Sequence, residues 1–408
     1  MNPTRPGISN GGINTRNIFL PRIKYSAGVR GPVRACIFPN GPLSSHVKKG
    51  YWIPRYYNPG NVFDEIFFFP PSEVDLEPRE VQMMCGDAKV EIHCMGRANL
   101  FNVRSKARRT VEEVRAARPD VIISYNALYG GYLGARCARR LGVPFLVRLH
   151  TQLDGSRQFL RRRSLPKYLV HVYTGRFIEP YVLESADRII AVYDSITPYV
   201  RRHGHEAKLD IIHNGVDLAK FSEGGRNESL PRPLVLSVGR LTAVKGLDTV
   251  IRAMKDIDAH LLIIGDGEMR GELEALAASE GIADRVTFKG SVPNSSIHGY
   301  YRSADVFAMG YKPELGNLAI PVIESMAAGV PVVVPQAKEE FEGFGSAVVY
   351  ADDNPRSFAD RINGLLRDPA LRAKYSRRVQ ETAAIFDVKK TEAGNARIIT
   401  EMVTGGGG

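Results

Sequence analysis

The sequence predicts an α/β protein of two similar-sized, doubly wound domains joined by one linker. Three observations carry that prediction. From Val33 onward, short apolar strands alternate with amphipathic helical stretches, the pattern of a mostly parallel sheet covered on both faces. The alternation breaks once, at the polar, Gly- and Pro-rich segment Ser222–Pro233, and then restarts. And a chain of 408 residues is long for a single core, so two or three domains are the starting expectation.

Taken in order, residues 1–30 are rich in Gly, Asn, Pro and Arg without periodicity and read as a disordered basic arm. Seven strands follow within residues 31–222: Val33–Phe38, Glu65–Phe69, Lys89–His93, Val121–Tyr125, Phe145–Leu149, Arg188–Val192 and Leu209–Ile212. Helical patterns such as Ser105–Ala117 and Gly131–Leu141 separate them. Beyond the linker, six strands are expected within residues 234–385: Leu234–Val238, Leu261–Ile264, Arg285–Phe288, Asp305–Met309, Val330–Val334 and Ala347–Tyr350. A helical tail runs from about Pro355 to Val403, and the closing Gly405–Gly408 reads as disordered.

Bulk composition narrows the class. Hydrophobic content of 44% and charged content of 24% are those of a soluble globular protein. The four cysteines, Cys36, Cys85, Cys94 and Cys137, show no CxxC spacing, which disfavours a disulfide framework or a zinc site. The polar N-terminus lacks an apolar h-region, and runs such as Ile66–Pro71 are too short to span a bilayer. A cytoplasmic protein, soluble or peripheral at the inner face of a membrane, is the expectation. The net charge of +11 is uneven: residues 1–225 hold 33 Lys+Arg against 20 Asp+Glu, a net +13, and the remainder nets −2. An electrostatic partner should therefore meet the first half.

The most informative stretch lies between Leu234 and Pro335. A strand breaks at Gly239-Arg240-Leu241, and Lys245-Gly246 then opens the helical sequence LDTVIRAMKDI. Ligands of doubly wound sheets bind outside the carboxyl ends of strands, and two fixed cations in that loop suit a diphosphate. The bland counterpart is a solvated Arg and Lys beside a helix start. Glu324 is a lone charge in PVIESMAAGVPVVVP, which is costly unless paired or bound to a ligand; an exposed position or a structural ion pair are its alternatives. His150 ends a strand at the cleft edge and suits a sugar hydroxyl, although such a residue is more often structural. Gly41, in the loop after the first strand, suits close backbone approach, with Ser44 or Ser45 as a helix cap; a plain turn is equally consistent. Gly265-Asp266-Gly267 lacks the third glycine of a dinucleotide fingerprint. Asp256 and Asp258 lie on the amino side of their strand, away from the cleft, and read as structural.

At this point the residues resemble a known family. VGRLTAVKGLDTVIRAM, LLIIGDGEMRGEL, RVTFKGSVP and PVIESMAAGVPVVVP occur in the order and spacing of retaining GT-B glycosyltransferases of family 4, and ADRIIAVYDSITPYV and IIHNGVDLAKF resemble the last segments of that family's first domain. The resemblance spans about Val33 to Val403. It implies two Rossmann-like domains facing a central cleft, and a C-terminal helix, within 386–408, that returns to the first domain. The nucleotide-sugar donor would be held mainly by the second domain and the acceptor by the first.

By that resemblance, Arg240 and Lys245 contact the donor diphosphate beside Gly239, and Glu324 holds the ribose. His150 reaches the donor sugar, Gly41 lies near acceptor and phosphates, and the turn containing Gly290 and Val292 lies beside the base. The sequence departs from the family at one place. The first glutamate of the paired motif is replaced by Gly316, with Glu314 two residues early. Either Glu314 reaches in, or the backbone N–H groups of Asn317, Leu318 and Ala319 take over. The implied activity is a metal-independent, cofactor-free, retaining transfer of a hexose-type sugar from UDP or GDP to an acceptor hydroxyl, forming an α-linkage on a glycan, polysaccharide or lipid-linked acceptor. No nucleic-acid partner is expected. Two rivals stay open: a nucleotide-sugar epimerase of the same architecture, and a non-catalytic nucleotide-sugar-binding subunit. The triple arginine Arg161-Arg162-Arg163 precedes Leu165–Tyr173, where Leu165, Tyr168, Leu169 and Val172 recur at helical spacing. That suits an anionic membrane surface; an ordinary core-facing helix after a basic turn is the alternative.

Overall fold

The computed structural model describes residues 31–405 apart from 46–52, 98, 100–101, 152, 155–156, 158–160, 162–163, 227–228, 312–319 and 337–343. The expected arm at 1–30, Arg162 and Arg163, and the segment carrying Glu314, Gly316, Asn317, Leu318 and Ala319 lie outside the described residues.

Two parallel sheets form the frame. The first comprises β1 (Arg34–Phe38), β2 (Glu65–Phe68), β3 (Lys89–Ile92), β4 (Val121–Ser124), β5 (Phe145–Leu149), β6 (Arg188–Ala191) and β7 (Leu209–Ile211), in spatial order β3-β2-β1-β4-β5-β6-β7. The second comprises β8 (Leu234–Val238), β9 (His260–Ile264), β10 (Val286–Gly290), β11 (Val306–Ala308), β12 (Val332–Pro335) and β13 (Val349–Ala351), in order β10-β9-β8-β11-β12-β13. All thirteen expected strands are present. Their ends differ by a residue or two because the last apolar residue often continues the pairing after the strand has begun to turn. Phe69, Tyr125 and Val192 still donate N–H bonds to the carbonyls of Ile37, Phe38 and Leu149 on neighbouring strands.

The central strands β4, β5, β8 and β12 are buried along their whole length, as a sheet covered on both faces requires. Helices Val103–Ala117, Tyr129–Leu141 and Glu179–Ser185 cover one face of the first sheet. The other face is covered by Pro78–Cys85 and, from the far end of the chain, by Val388–Thr404. The second sheet carries Leu247–Ala253, Arg270–Ser279 and Pro355–Arg367 on one face, and Asn294–Ser303, Ile320–Ala327 and Pro369–Ala383 on the other.

The C-terminal helix bonds the two halves of the chain together. Val216 donates to the Phe386 carbonyl, and Val388 donates to Val216. Glu392 then pairs with Arg55 at 2.7 Å and accepts the Gly60 N–H at 3.0 Å. Ile398 and Ile399 complete the apolar layer beneath β1 and β2. Residues of both sheets share one continuous apolar cluster that runs through Val216, Phe221 and Phe386.

Each sheet reverses its winding direction once, between β1 and β4 in the first and between β8 and β11 in the second. The carboxyl ends of these strand pairs are where a doubly wound sheet opens a crevice for ligand.

Candidate active site

The loop after β8 is built from backbone clamps. A short 3-10 turn, Ala243–Lys245, leads into Gly246 at φ 56°. A Cβ at Gly246 would lie 1.8 Å from the Gly310 carbonyl oxygen, so the loops after β8 and β11 meet backbone to backbone. Gly265, at φ 130°, makes the same kind of approach to the Gly239 carbonyl. Leu241 donates to Asp266, and Met269 donates to Leu241. The GDG segment after β9 is thus a brace for the cation loop.

That brace presents Arg240 and Lys245. Arg240 is exposed and Lys245 half-buried. Among the described residues neither pairs with a carboxylate. Burial, and next the nearby Arg240 charge, hold the Lys245 ammonium below its usual range. Two like charges sharing one loop, one of them poorly hydrated, form a site that a polyanion relieves.

Glu324 sits in the helix Ile320–Ala327, where every residue from Pro321 to Ala327 is buried. It is 7% exposed and accepts a 2.6 Å hydrogen bond from the Tyr301 hydroxyl; the exposed reading is therefore excluded. Burial pushes its carboxyl above the usual range, opposed by the Tyr301 bond and by the Lys220 charge. Lys220 is itself lowered by burial, against the pull of Glu324 and Asp217. Burial draws both groups toward neutrality, the expected effect of poor hydration on a charge.

On the facing domain His150 follows β5 and is half-buried. Its Nε2 lies 3.5 Å from the Tyr56 hydroxyl, and its ring stacks on Tyr125 at 5.6 Å. Beneath them lies Arg148, 5% exposed, over both the Tyr56 and Tyr125 rings at 5.6 and 5.0 Å. Arg148 Nη1 donates to the Tyr125 hydroxyl at 3.3 Å, and its buried Nε has no partner among the described residues. These three residues fix where the imidazole can point, and sequence reading missed them. Gly41 is in the loop after β1, across the switch from Tyr125. Gly290 ends β10 and accepts the Gly265 N–H; Val292 follows, half-buried.

The Gly41 loop is held by a residue that sequence reading also missed. Asp75 accepts from the backbone N–H groups of Leu43 and Ser44, both at 2.8 Å, and from the Ser72 hydroxyl at 2.9 Å. This carboxylate, from the β2–helix connection, satisfies the N–H groups at the start of the helix after that loop; the residues that a Ser44 or Ser45 cap would bond lie outside the described residues. Asp75→Ala should destabilise the chain by about 1–2 kcal/mol, the cost of leaving helix-start N–H groups without their acceptor. Urea unfolding measures it, and a change within error would show that the loop holds itself.

The comparisons with known proteins bear on this geometry. The family model for "Glycosyl transferases group 1" matches residues 222–382, and the model for "Glycosyltransferase Family 4" matches residues 67–220. The chain belongs to the group 1 glycosyltransferases. Two curated relatives illustrate the range. A D-inositol 3-phosphate glycosyltransferase of Nocardiopsis dassonvillei is 29% identical over 65% of this chain and 68% of its own length. An alpha-monoglucosyldiacylglycerol synthase of Streptococcus pneumoniae is 25% identical over 55% of this chain and 54% of its own. Among solved structures, Anabaena Alr3699/HepE in complex with UDP and glucose superposes with a TM-score of 0.68 at 17% identity, covering 90% of this chain and all of that one. A sucrose-phosphate synthase from Thermosynechococcus elongatus reaches 0.70 at 18% identity, over 91% and 100%. These neighbours establish the fold of this glycosyltransferase as GT-B, with two Rossmann-like domains.

Proposed function

We propose that this glycosyltransferase is a retaining enzyme that moves a hexose-type sugar from UDP or GDP to an acceptor hydroxyl, forming an α-linkage without a metal ion. The observation that carries the reading is the pair Arg240 and Lys245, two cations at the switch point of the second sheet that pair with no carboxylate among the described residues. They are positioned to take the charge that develops on a departing diphosphate. Glu324 would accept ribose hydroxyls in exchange for part of its present bonding. His150, fixed by Tyr56 and Tyr125, would donate to the sugar. The glucose and UDP of the Anabaena complex support a UDP-hexose, and the inositol phosphate and diacylglycerol in the relatives' names support a polyol or lipid-linked acceptor. Incubation with UDP- and GDP-hexoses, with and without such acceptors, tests the reading: nucleotide release that requires acceptor supports it. Epimerised donor without acceptor, or binding with no turnover of any donor, would replace it with another activity.

With Arg240 and Lys245 neutralising the diphosphate, transfer should continue in excess EDTA. The proposal of metal independence is wrong if activity vanishes and returns with magnesium or manganese.

An anionic membrane surface is the proposed partner of the first domain. The helix Leu165–Tyr173 has no buried residue, which rules out the core-facing alternative for it. Leu165 is 63% exposed, Leu169 57% and Phe177 58%, with Arg161, Lys167 and Arg176 exposed around them. The layer beneath is polar: Arg157 and Tyr199 bond to the buried Glu179, and Arg157 also holds the His171 carbonyl. That network anchors the segment while its apolar side chains stay outside. No helix among the described residues is long and apolar enough to cross a membrane, so the contact would be interfacial, at about 1 kcal/mol per close cation plus the buried apolar area. Flotation with liposomes should show binding that rises with anionic lipid, weakens with salt and drops when Leu165, Leu169 and Phe177 are changed to Ser. Wild type that stays unbound on strongly anionic liposomes at low salt points instead to a soluble acceptor.

A further inference from the structure

The second domain holds a cavity at the edge of its sheet opposite the cation loop. Its volume is 420 Å³, and Arg226, Arg302, Arg372 and Asp305 are among its lining residues. The walls come from the interdomain linker, from the turns that enter β11 and β12, and from the first turns of helix Pro369–Ala383. All of these lie at the amino ends of the strands, whereas Arg240 and Lys245 lie at the carboxyl ends. A strand of five residues separates the two edges by roughly 16 Å.

The charge around this cavity is unbalanced. Asp305 already pairs with Arg232 and accepts the Leu234 N–H. Among the described residues none of Arg226, Arg302 and Arg372 pairs with a carboxylate. Arg302 donates from Nε to the Gly225 carbonyl at 3.1 Å and from Nη1 to the Lys220 carbonyl at 3.2 Å. Arg372 donates from Nη1 to the carbonyls of Leu365 and Leu366. These bonds hold two guanidiniums in fixed orientations without neutralising them. The carboxyl ends of helices Asn294–Ser303 and Ile320–Ala327 also approach, each worth about −0.5 of a charge, and the amino end of Pro369–Ala383 offsets part of that. Asp368, which caps that helix, and the Leu365 and Leu366 carbonyls bonded by Arg372 offset more of the positive charge, and the three guanidiniums leave the described lining net positive.

We propose that this cavity binds a phosphate-bearing anion, at a site separate from the transfer cleft. Guanidiniums arriving from three different segments match the several oxygens of a phosphate better than the single plane of a carboxylate. The volume leaves room for an organic moiety attached to it. The site is independent of which donor the enzyme uses.

The test titrates inorganic phosphate into the full chain and follows thermal stability, with ionic strength held constant by chloride. Arg240→Ala/Lys245→Ala serves as the background, so that phosphate in the transfer cleft does not contribute. Phosphate should raise Tm in that background. Adding Arg226→Gln, a change at an exposed position, should weaken the apparent affinity about tenfold, as losing one charge-assisted contact does. Adding Arg372→Gln should weaken it further. If the Arg372 change lowers the ligand-free Tm, the Arg226→Gln comparison alone decides. The proposal is overturned if phosphate does no more than chloride in the background protein, or if Arg226→Gln keeps the background affinity.

Discussion

Replacing Arg240 or Lys245 by Ala should lower sugar transfer by about 30- to 1,000-fold, or 2–4 kcal/mol of transition-state stabilisation, while leaving the protein folded. Among the described residues neither side chain is in an ion pair that the fold would lose, and the loop is held by the backbone contacts around Gly239, Gly246 and Gly265. Lys245 sits in a position where burial and Arg240 disfavour its charge, so removing either cation alone relieves repulsion in the free enzyme. The cost should therefore fall on kcat and on nucleotide affinity, and free-enzyme Tm should hold or rise. Donor affinity in the wild type should also weaken as pH climbs through the depressed Lys245 value, because the diphosphate needs the charged form. Wild-type turnover in either folded variant would remove the diphosphate assignment.

Glu324→Gln should separate stability from activity. Burial holds the Glu324 carboxyl above its usual value, so its ionisation costs stability. A carboxyl raised in the folded state contributes stability that is complete below the unfolded value and is lost as pH rises through the folded one. The wild type loses that stability as pH rises past the raised Glu324 value, and the neutral amide avoids the loss. Its carbonyl still accepts from Tyr301. The Tm of the variant should therefore gain on that of the wild type as pH rises, and the advantage should vanish in acid. Transfer should drop by about 10- to 100-fold, since a hydrogen bond to a charged group contributes about 1.5–3 kcal/mol. This is the trade-off expected where a buried charge is kept for a ligand. A variant that is both less stable and fully active would mark Glu324 as a structural residue only.

The partners of these residues were not legible in the sequence. Asp75 reaches back to Leu43 and Ser44 across about thirty positions, and Tyr56 meets His150 across 94. Nothing in the local pattern around Tyr56 or Tyr125 distinguishes them from other aromatic residues beside strands. Arg148 was hidden inside a run read as an apolar strand, because one long side chain can bury its charge against two tyrosine faces. The stretch SEVD after β2 did carry an acidic signal, but its target could be seen only once β1 and β2 were paired.

The sequence by itself determined the two sheets, the linker between them and the loop that carries the cations. Strand and helix periodicity is local, and the position of a ligand crevice follows from strand order in doubly wound folds. Only the tertiary structure decided which charges stand without a partner. Among the described residues Arg240 and Lys245 pair with no carboxylate, Glu324 has the Tyr301 hydroxyl, and the helix Leu165–Tyr173 turns its apolar residues outward over a polar layer. Each of these depends on what a distant segment brings to the same place, and burial sets the energy of a charge or an apolar side chain only after the chain has closed around it.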